Sequence, residues 1–364
     1  MAALLKDAFN KKVIIVLASE IKKQYRSFES EAFIERVLDR SWKKRELKQR
    51  IRHISECLTT FLPKSYEKAL GILKPVSLEI SVQCDGLVHL IFPDFVELCG
   101  LDDYKNSVSA MAFFTSGSSS EFPVRHFIVK YEKKMMAQMY KWASSDDAHL
   151  RRLASEGCRP RLPWAIALPE FKNDPTPILP ILEKLKNDES EYVRRSVANN
   201  LNDISKDNPK IVIKLAKAWL GKCTETNKLV KHGCRTLLKQ GEPDVLKLFG
   251  FRAPRDIKLK KLKITKEINM GEKIDFEFSL QTTKKKLGKL RIEYIIEFVR
   301  LNNKTGKKVF KISEGKYSES ERCVTKKHSF KPISTRKYYP GKHSISIVVN
   351  GIVLSTKSFI IKDN

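Results

Sequence analysis

At 364 residues, with 41% hydrophobic and 31% charged side chains, the chain can fill two domain cores and is too apolar to be disordered. Its 70 basic residues against 42 acidic ones leave a formal charge of +28, which calls for a polyanionic partner, nucleic acid ahead of an anionic membrane. Seven scattered cysteines without a CxxC pair exclude a disulfide framework and a cysteine zinc site. No metal or cofactor is expected, and the thiols are expected to be reduced in a cytoplasmic protein.

From the N-terminus to about residue 250 the pattern is helical. The VIIVLA run at Val13–Ala18 is too short to span a bilayer and reads as a buried helix turn, so no membrane association is expected. Apolar residues recur three and four apart in segments 31–42, 46–62 and 127–143. Leu62-Pro63, Lys74-Pro75, Thr115 to Ser120 and Asp174-Pro175 mark loops. The third of these ends on Glu121-Phe122-Pro123, directly before a helix.

Residues 191–209, EYVRRSVANNLNDISKDNP, are the most informative stretch. Val193, Val197, Leu201 and Ile204 form one apolar stripe, with Arg194 and Arg195 off it. Pro209 ends the pattern, and a second apolar helix is expected from Ile211. Leu150-Arg151-Arg152 is a weaker copy of Val193-Arg194-Arg195, about 43 residues earlier, and that spacing in paired helices is the mark of HEAT-type repeats. A HEAT-like α-solenoid is therefore expected over residues 1–250.

Residues 251–261 read as a basic linker. Beyond it, segments 273–280, 290–299, 344–350 and 352–361 alternate like strands, with turns at Asn303 to Lys308 and Asn350-Gly351. Six or seven short strands over residues 262–364 suggest an immunoglobulin-like sandwich. Residues 255–364 hold 27 basic and 11 acidic residues, so this domain reads as a second clamp on the polyanion.

The P-loop, HExxH, GxSxG and dinucleotide fingerprints are absent. Cys234 and His232 are close in sequence but read as packing and surface. Three carboxylates stand out: Glu121 at the loop-to-helix junction, Glu156 in RRLASEGCRPRLPW, and Asp203 in NNLND. Each has a plainer explanation, the helix dipole for Glu121 and a solvated or capping role for Asp203. Arg151, Arg152, Arg159, Arg161, Arg194, Arg195, Lys231 and Arg235 recur on successive units, as phosphate contacts on a solenoid would. A solvated basic face would look the same. Trp164, beside Arg161, fits stacking on a base or sugar as well as packing between repeats.

These residues resemble the AlkC group of HEAT-like DNA alkylation-repair glycosylases. The resemblance covers residues 4 to 250, through LKDAF (5–9), ELKQRIRHI (46–54), LPKSYEKAL (62–70), SSEFPVRHFI (119–128), RRLASEGCRPRLPWA (151–165) and the 191–209 stretch. The C-terminal part is similar to an immunoglobulin-like extension found in one branch of that group. His126 departs from the pattern, standing where a proline is expected. The resemblance implies hydrolysis of the N-glycosidic bond of cationic N-methylated bases, 3-methyladenine and also 3-methylcytosine, in double-stranded DNA. It implies that Glu121, Glu156 and Asp203 are the active carboxylates and that Trp164 packs against the nucleotide. Water activation is assigned to Asp203, and stabilisation of the sugar's charge to Glu156 and Glu121, with the roles exchangeable. A monomer acting on DNA, associated with the nucleoid, is expected.

Two other readings compete. A non-catalytic HEAT scaffold for DNA or RNA shares the basic face but leaves the carboxylates without a purpose. A solenoid for an acidic protein partner ranks last.

Overall fold

The computed structural model describes residues 4–84, 86–333 and 337–363. It divides into two packed units, one holding the chain up to Val212 together with Trp219–Gly233, the other Ile213–Ala218 and the chain from Cys234 onward.

The first unit is helical. In the helix Glu191–Ile204 all four residues of the expected stripe are buried. The helix lies between Ala148–Gly157 and Thr224–Gly233, so Ser196, Asn200 and Asn202 are buried as well. Helix stacking of this kind is what a HEAT-like repeat dictates, because one helix pair cannot cover its own apolar face. The VIIVLA run lies inside the helix Lys11–Gln24, with Val13, Ile14, Leu17 and Ala18 buried. Among the described residues no helix is long and apolar enough to cross a membrane.

Several boundaries differ from expectation. Lys74-Pro75 is no loop, because Pro75 lies within the helix Tyr66–Gln83. Its ring removes one amide donor, a cost that the buried Leu70, Leu73, Val76 and Ile80 around it outweigh. The 127–143 pattern belongs to two helices, Pro123–Lys130 and Glu132–Trp142, broken at Tyr131. The helix expected from Ile211 starts at Pro209, since proline is at home in a first helical turn.

In the second unit a sandwich is built from β1 (Ile257–Ile264), β2 (Glu267–Asn269), β3 (Lys273–Thr282), β4 (Gly288–Val299), β5 (Thr305–Tyr317), β6 (Glu321–Ser329), β7 (Gly341–Val349) and β8 (Ile352–Lys362). One sheet has the order β1-β3-β6 and the other β2-β8-β7-β4-β5. All pairs are antiparallel except β2 with β8. Ile274, Phe276 and Phe278 from one sheet meet Ile292, Tyr294, Ile296 and Phe359 from the other in a shared core.

Among the described residues eight strands stand where six or seven are expected. β1 starts within the stretch read as linker, and β5 starts within the stretch read as a turn. β1, β5 and β6 are edge strands rich in lysine, and lysine-rich edges lack the apolar alternation that announces a strand.

Asn350-Gly351 does turn the β7–β8 hairpin, with φ of 46° and 80°, the left-handed pair such a turn needs. This turn also anchors the short helices Arg235–Gln240 and Pro243–Leu248. Asn350 Nδ2 donates to the Arg252 carbonyl at 2.7 Å. A Cβ on Gly351 would lie 2.6 Å from Leu246 Cδ1 and 3.0 Å from Gly241 Cα.

Candidate active site

Glu156 and Asp203 occupy the last turns of two neighbouring helices, Ala148–Gly157 and Glu191–Ile204. Polar contacts inside that interface set the alignment. Ser155 Oγ donates to Ser196 Oγ at 2.6 Å, and Asn200 Nδ2 donates to the Ser155 carbonyl at 2.8 Å. Arg159, in the loop after the first helix, then reaches both carboxylates. Its Nη1 donates to Glu156 Oε1 at 2.5 Å and its Nε to Asp203 Oδ2 at 2.8 Å. Lys206 Nζ takes the other Asp203 oxygen at 3.0 Å.

Glu121 joins the group through Arg152. That guanidinium pairs with Glu121, lies 3.5 Å from Glu156 Oε1 and donates to Ser119 Oγ at 2.6 Å. Two arginines thus string three carboxylates into one array, and both address the same oxygen of Glu156. Burial works against the charge on Arg159, but Glu156 and Asp203 outweigh it and hold the guanidinium protonated. The plainer explanations do not describe these side chains. Asp203 is 1% exposed, neither solvated nor capping, and Glu121 turns to Arg152, not to the end of the following helix.

The loop that carries Arg159 is fixed from beneath by Arg125, which is fully buried. Arg125 donates to the carbonyls of Gly157 at 2.9 Å, Arg159 at 2.7 Å and Ile166 at 2.7 Å. Burial pulls its guanidinium down to about 10, still charged at neutral pH. Among the described residues no cluster of His, Cys, Asp or Glu could hold a metal ion. All seven cysteines are free.

The similarity to known proteins is high over the whole chain. Residues 117–228 match the DNA alkylation repair enzyme family, and residues 258–363 match the C-terminal Ig-like domain of the uncharacterised protein YhaZ. A Bacillus subtilis (strain 168) relative, uncharacterized protein YhaZ, is 41% identical over 98% of both chains. The Pseudomonas fluorescens alkylpurine DNA glycosylase AlkC, solved bound to DNA containing an abasic site analog, is 35% identical. It covers 99% of this chain and 100% of its own, with a TM-score of 0.93. The chain belongs to the AlkC family of DNA alkylation-repair glycosylases.

Within this AlkC-family fold the expected cationic residues divide into inward and outward groups. Arg151 faces inward, with its guanidinium on Asp188 at 2.7 and 3.1 Å and on the carbonyls of Ser145 and Asp146. A side chain so engaged offers nothing to a phosphate. Arg159 is likewise buried among carboxylates. Arg194 donates to the carbonyls of Asp188 and Glu189, and Arg161 forms a two-pronged pair with Asp207 at 2.9 and 2.6 Å. Arg195 and Lys231 are exposed, and Arg235 is half-buried in the second unit. Arg195 shares a shallow cleft with Glu191, Glu225 and Lys228.

Trp164 is 63% exposed with φ at +63°, a left-handed backbone rare for a bulky residue. It therefore does not pack between repeats. His126 sits inside the helix that starts at Pro123, its Nε2 3.4 Å from Glu97 Oε1. The sequence carries no signal for Arg125, because a lone arginine beside Val124 and Phe127 looks like an ordinary surface residue. Tyr192, whose ring lies 5.3 Å from the Arg152 guanidinium, also carried no signal beyond its place one residue before Val193.

Proposed function

We propose that this chain excises cationic N-methylated bases, 3-methyladenine foremost and 3-methylcytosine with it, from double-stranded DNA. The observation that carries the reading is the array of Glu121, Glu156 and Asp203 held by Arg152 and Arg159. A scaffold for phosphates has no use for three clustered carboxylates, which weaken polyanion binding. A reaction that develops positive charge on a sugar does.

The chemistry follows from the substrate. A methylated base already carries its positive charge and leaves as a neutral molecule, so it needs no strong general acid. The deoxyribose left behind is oxocarbenium-like. Carboxylates fixed in advance stabilise that charge where it forms, and each 1.36 kcal/mol is worth about tenfold in rate. Both oxygens of Asp203 are engaged by cations, whereas the two arginines at Glu156 address only Oε1. That supports orienting the attacking water with Glu156 and giving Asp203 and Glu121 the electrostatic role, an exchange of the assignments expected from sequence. The relative solved on abasic DNA supports DNA as the partner, and the charge of +28 agrees with it.

The test is mass spectrometry of free bases released from methylated duplex DNA by the wild type, Glu156→Gln and Asp203→Asn. Release of 3-methyladenine by the wild type, with at least hundredfold loss in both variants and DNA binding retained, is expected. Binding without release by the wild type returns the chain to the scaffold reading.

A further inference from the structure

Arg152 is held differently from the other inward arginines. Arg125 and Arg151 are locked by backbone carbonyls, and Arg159 is clasped between Glu156 and Asp203. Among the described residues no carbonyl accepts from the Arg152 guanidinium. It meets Glu121 and Ser119, both on the turn before the helix Pro123–Lys130, while Glu156 Oε1 lies at 3.5 Å. Such bonds lie in the guanidinium plane, and two partners on one turn leave that plane free to tilt.

The face of the guanidinium is covered from the neighbouring helix. Tyr192, in the first turn of Glu191–Ile204, places its ring centre 5.3 Å from the Arg152 guanidinium carbon, within cation–π range. His149 lies three residues before Arg152 in the helix Ala148–Gly157. Its imidazole meets the same phenol in a T-shaped contact, with ring centres 5.8 Å apart. The ring is therefore braced by the helix that carries the arginine. Among the described residues the Tyr192 hydroxyl makes no hydrogen bond. Burial pushes the phenol pKa up, Arg152 pulls against this, and Glu121 and Glu156 push it further. The phenol stays neutral and offers Arg152 its ring.

We propose that Tyr192 is a positioning residue for base excision: its ring sets the tilt of Arg152. One guanidinium then meets Glu121 and only Oε1 of Glu156, and the second Glu156 oxygen stays open to water. The proposal rests on the glycosylase reading and deepens it. Without the ring, the guanidinium can turn to take the second Glu156 oxygen or follow a DNA phosphate. The charges of the array would remain, but their alignment would not. Misplacing a catalytic group by about 1 Å costs on the order of a hundredfold in rate.

The test is single-turnover release of 3-methyladenine from methylated duplex DNA, with DNA affinity and melting temperature measured on the same preparations. Tyr192→Phe keeps the ring and should stay within about threefold of the wild-type rate. Tyr192→Leu and Tyr192→Gln keep the bulk without the ring, and each should lose about tenfold or more in rate with DNA affinity retained. On an Arg152→Ala background nothing is left to orient, so Tyr192→Leu should cause no further loss. Wild-type rates in the Leu and Gln variants, or a loss in Tyr192→Phe equal to theirs, overturn the proposal. So do losses at 152 and 192 that multiply, or a fall in affinity that accounts for the whole effect. Absence of base release by the wild type counts against the glycosylase reading, and this role falls with it. Release by the wild type with Tyr192→Leu unimpaired overturns the role of Tyr192 alone.

Discussion

Arg159 and Asp203, 44 positions apart in the chain, meet at 2.8 Å with 7% and 1% of their surfaces exposed. Removing a cation this deep leaves Asp203 to Lys206 alone and Glu156 to the more distant Arg152. Arg159→Ala should destabilise the helical unit by about 3–5 kcal/mol. Adding Asp203→Asn to it should recover part of that loss, because one under-compensated buried charge disappears. Chemical denaturation of the single and double variants checks both statements, and independent, additive losses would contradict the coupling.

The outward and inward arginines predict opposite phenotypes. Arg195→Ala should leave stability within about 0.5 kcal/mol of wild type while weakening DNA binding and reducing its salt slope by about one. Arg151→Ala, which opens the Asp188 pair, should instead cost about 3 kcal/mol or more in stability. Measuring melting temperature and salt-dependent affinity on the same preparations separates the two effects.

Asp94 gives a pH signature. Its folded pKa of about 6 lies above the ordinary carboxyl value of 3.8, so the folded state binds its proton more tightly than the unfolded chain does. The associated stability is complete below pH 4 and is lost as pH rises through 6. Asp94→Asn should therefore gain about 2–3 kcal/mol on the wild type at pH 8, a gain that shrinks towards pH 4. A difference independent of pH would place the burden elsewhere than on the ionised carboxylate.

Gly157 predicts a steric effect. A Cβ there would lie 2.5 Å from Val124 Cγ1 and 3.0 Å from Met139 Cε. Gly157→Ala should destabilise by about 1–3 kcal/mol and displace the loop holding Arg159, lowering excision more than its stability loss explains. Activity measured well below the melting temperature tests this.

How far the sequence reveals this molecule depends on which forces repeat. The stripe Val193, Val197, Leu201 and Ile204 was legible because one packing requirement recurs every turn. The Asn350-Gly351 turn was legible because few residues take a left-handed backbone. Pro75 misled because a proline reports its own lost hydrogen bond and not the apolar burial around it. β5 and β6 stayed hidden because edge strands carry lysines where central strands carry valines. Glu121, Glu156 and Asp203 stand out in the sequence, but nothing local shows that Arg159 links two of them. The inward turn of Arg151, the clamp of Arg125 and the burial of Asp94 beside Arg52 are products of tertiary packing, which periodicity does not encode.

The near contact of Gly351 with Gly241 bears on how the protein can be dissected. Residues 234–250 are helical, yet they pack with strands. A fragment ended at residue 250 would strip Leu246 of the hairpin that covers it, and a fragment begun at residue 262 would lose most of β1. The seam for an exchange or a truncation therefore does not follow the change from helix to strand. A recombinant sandwich begun near Cys234 should stay in solution where one begun at the first strand aggregates.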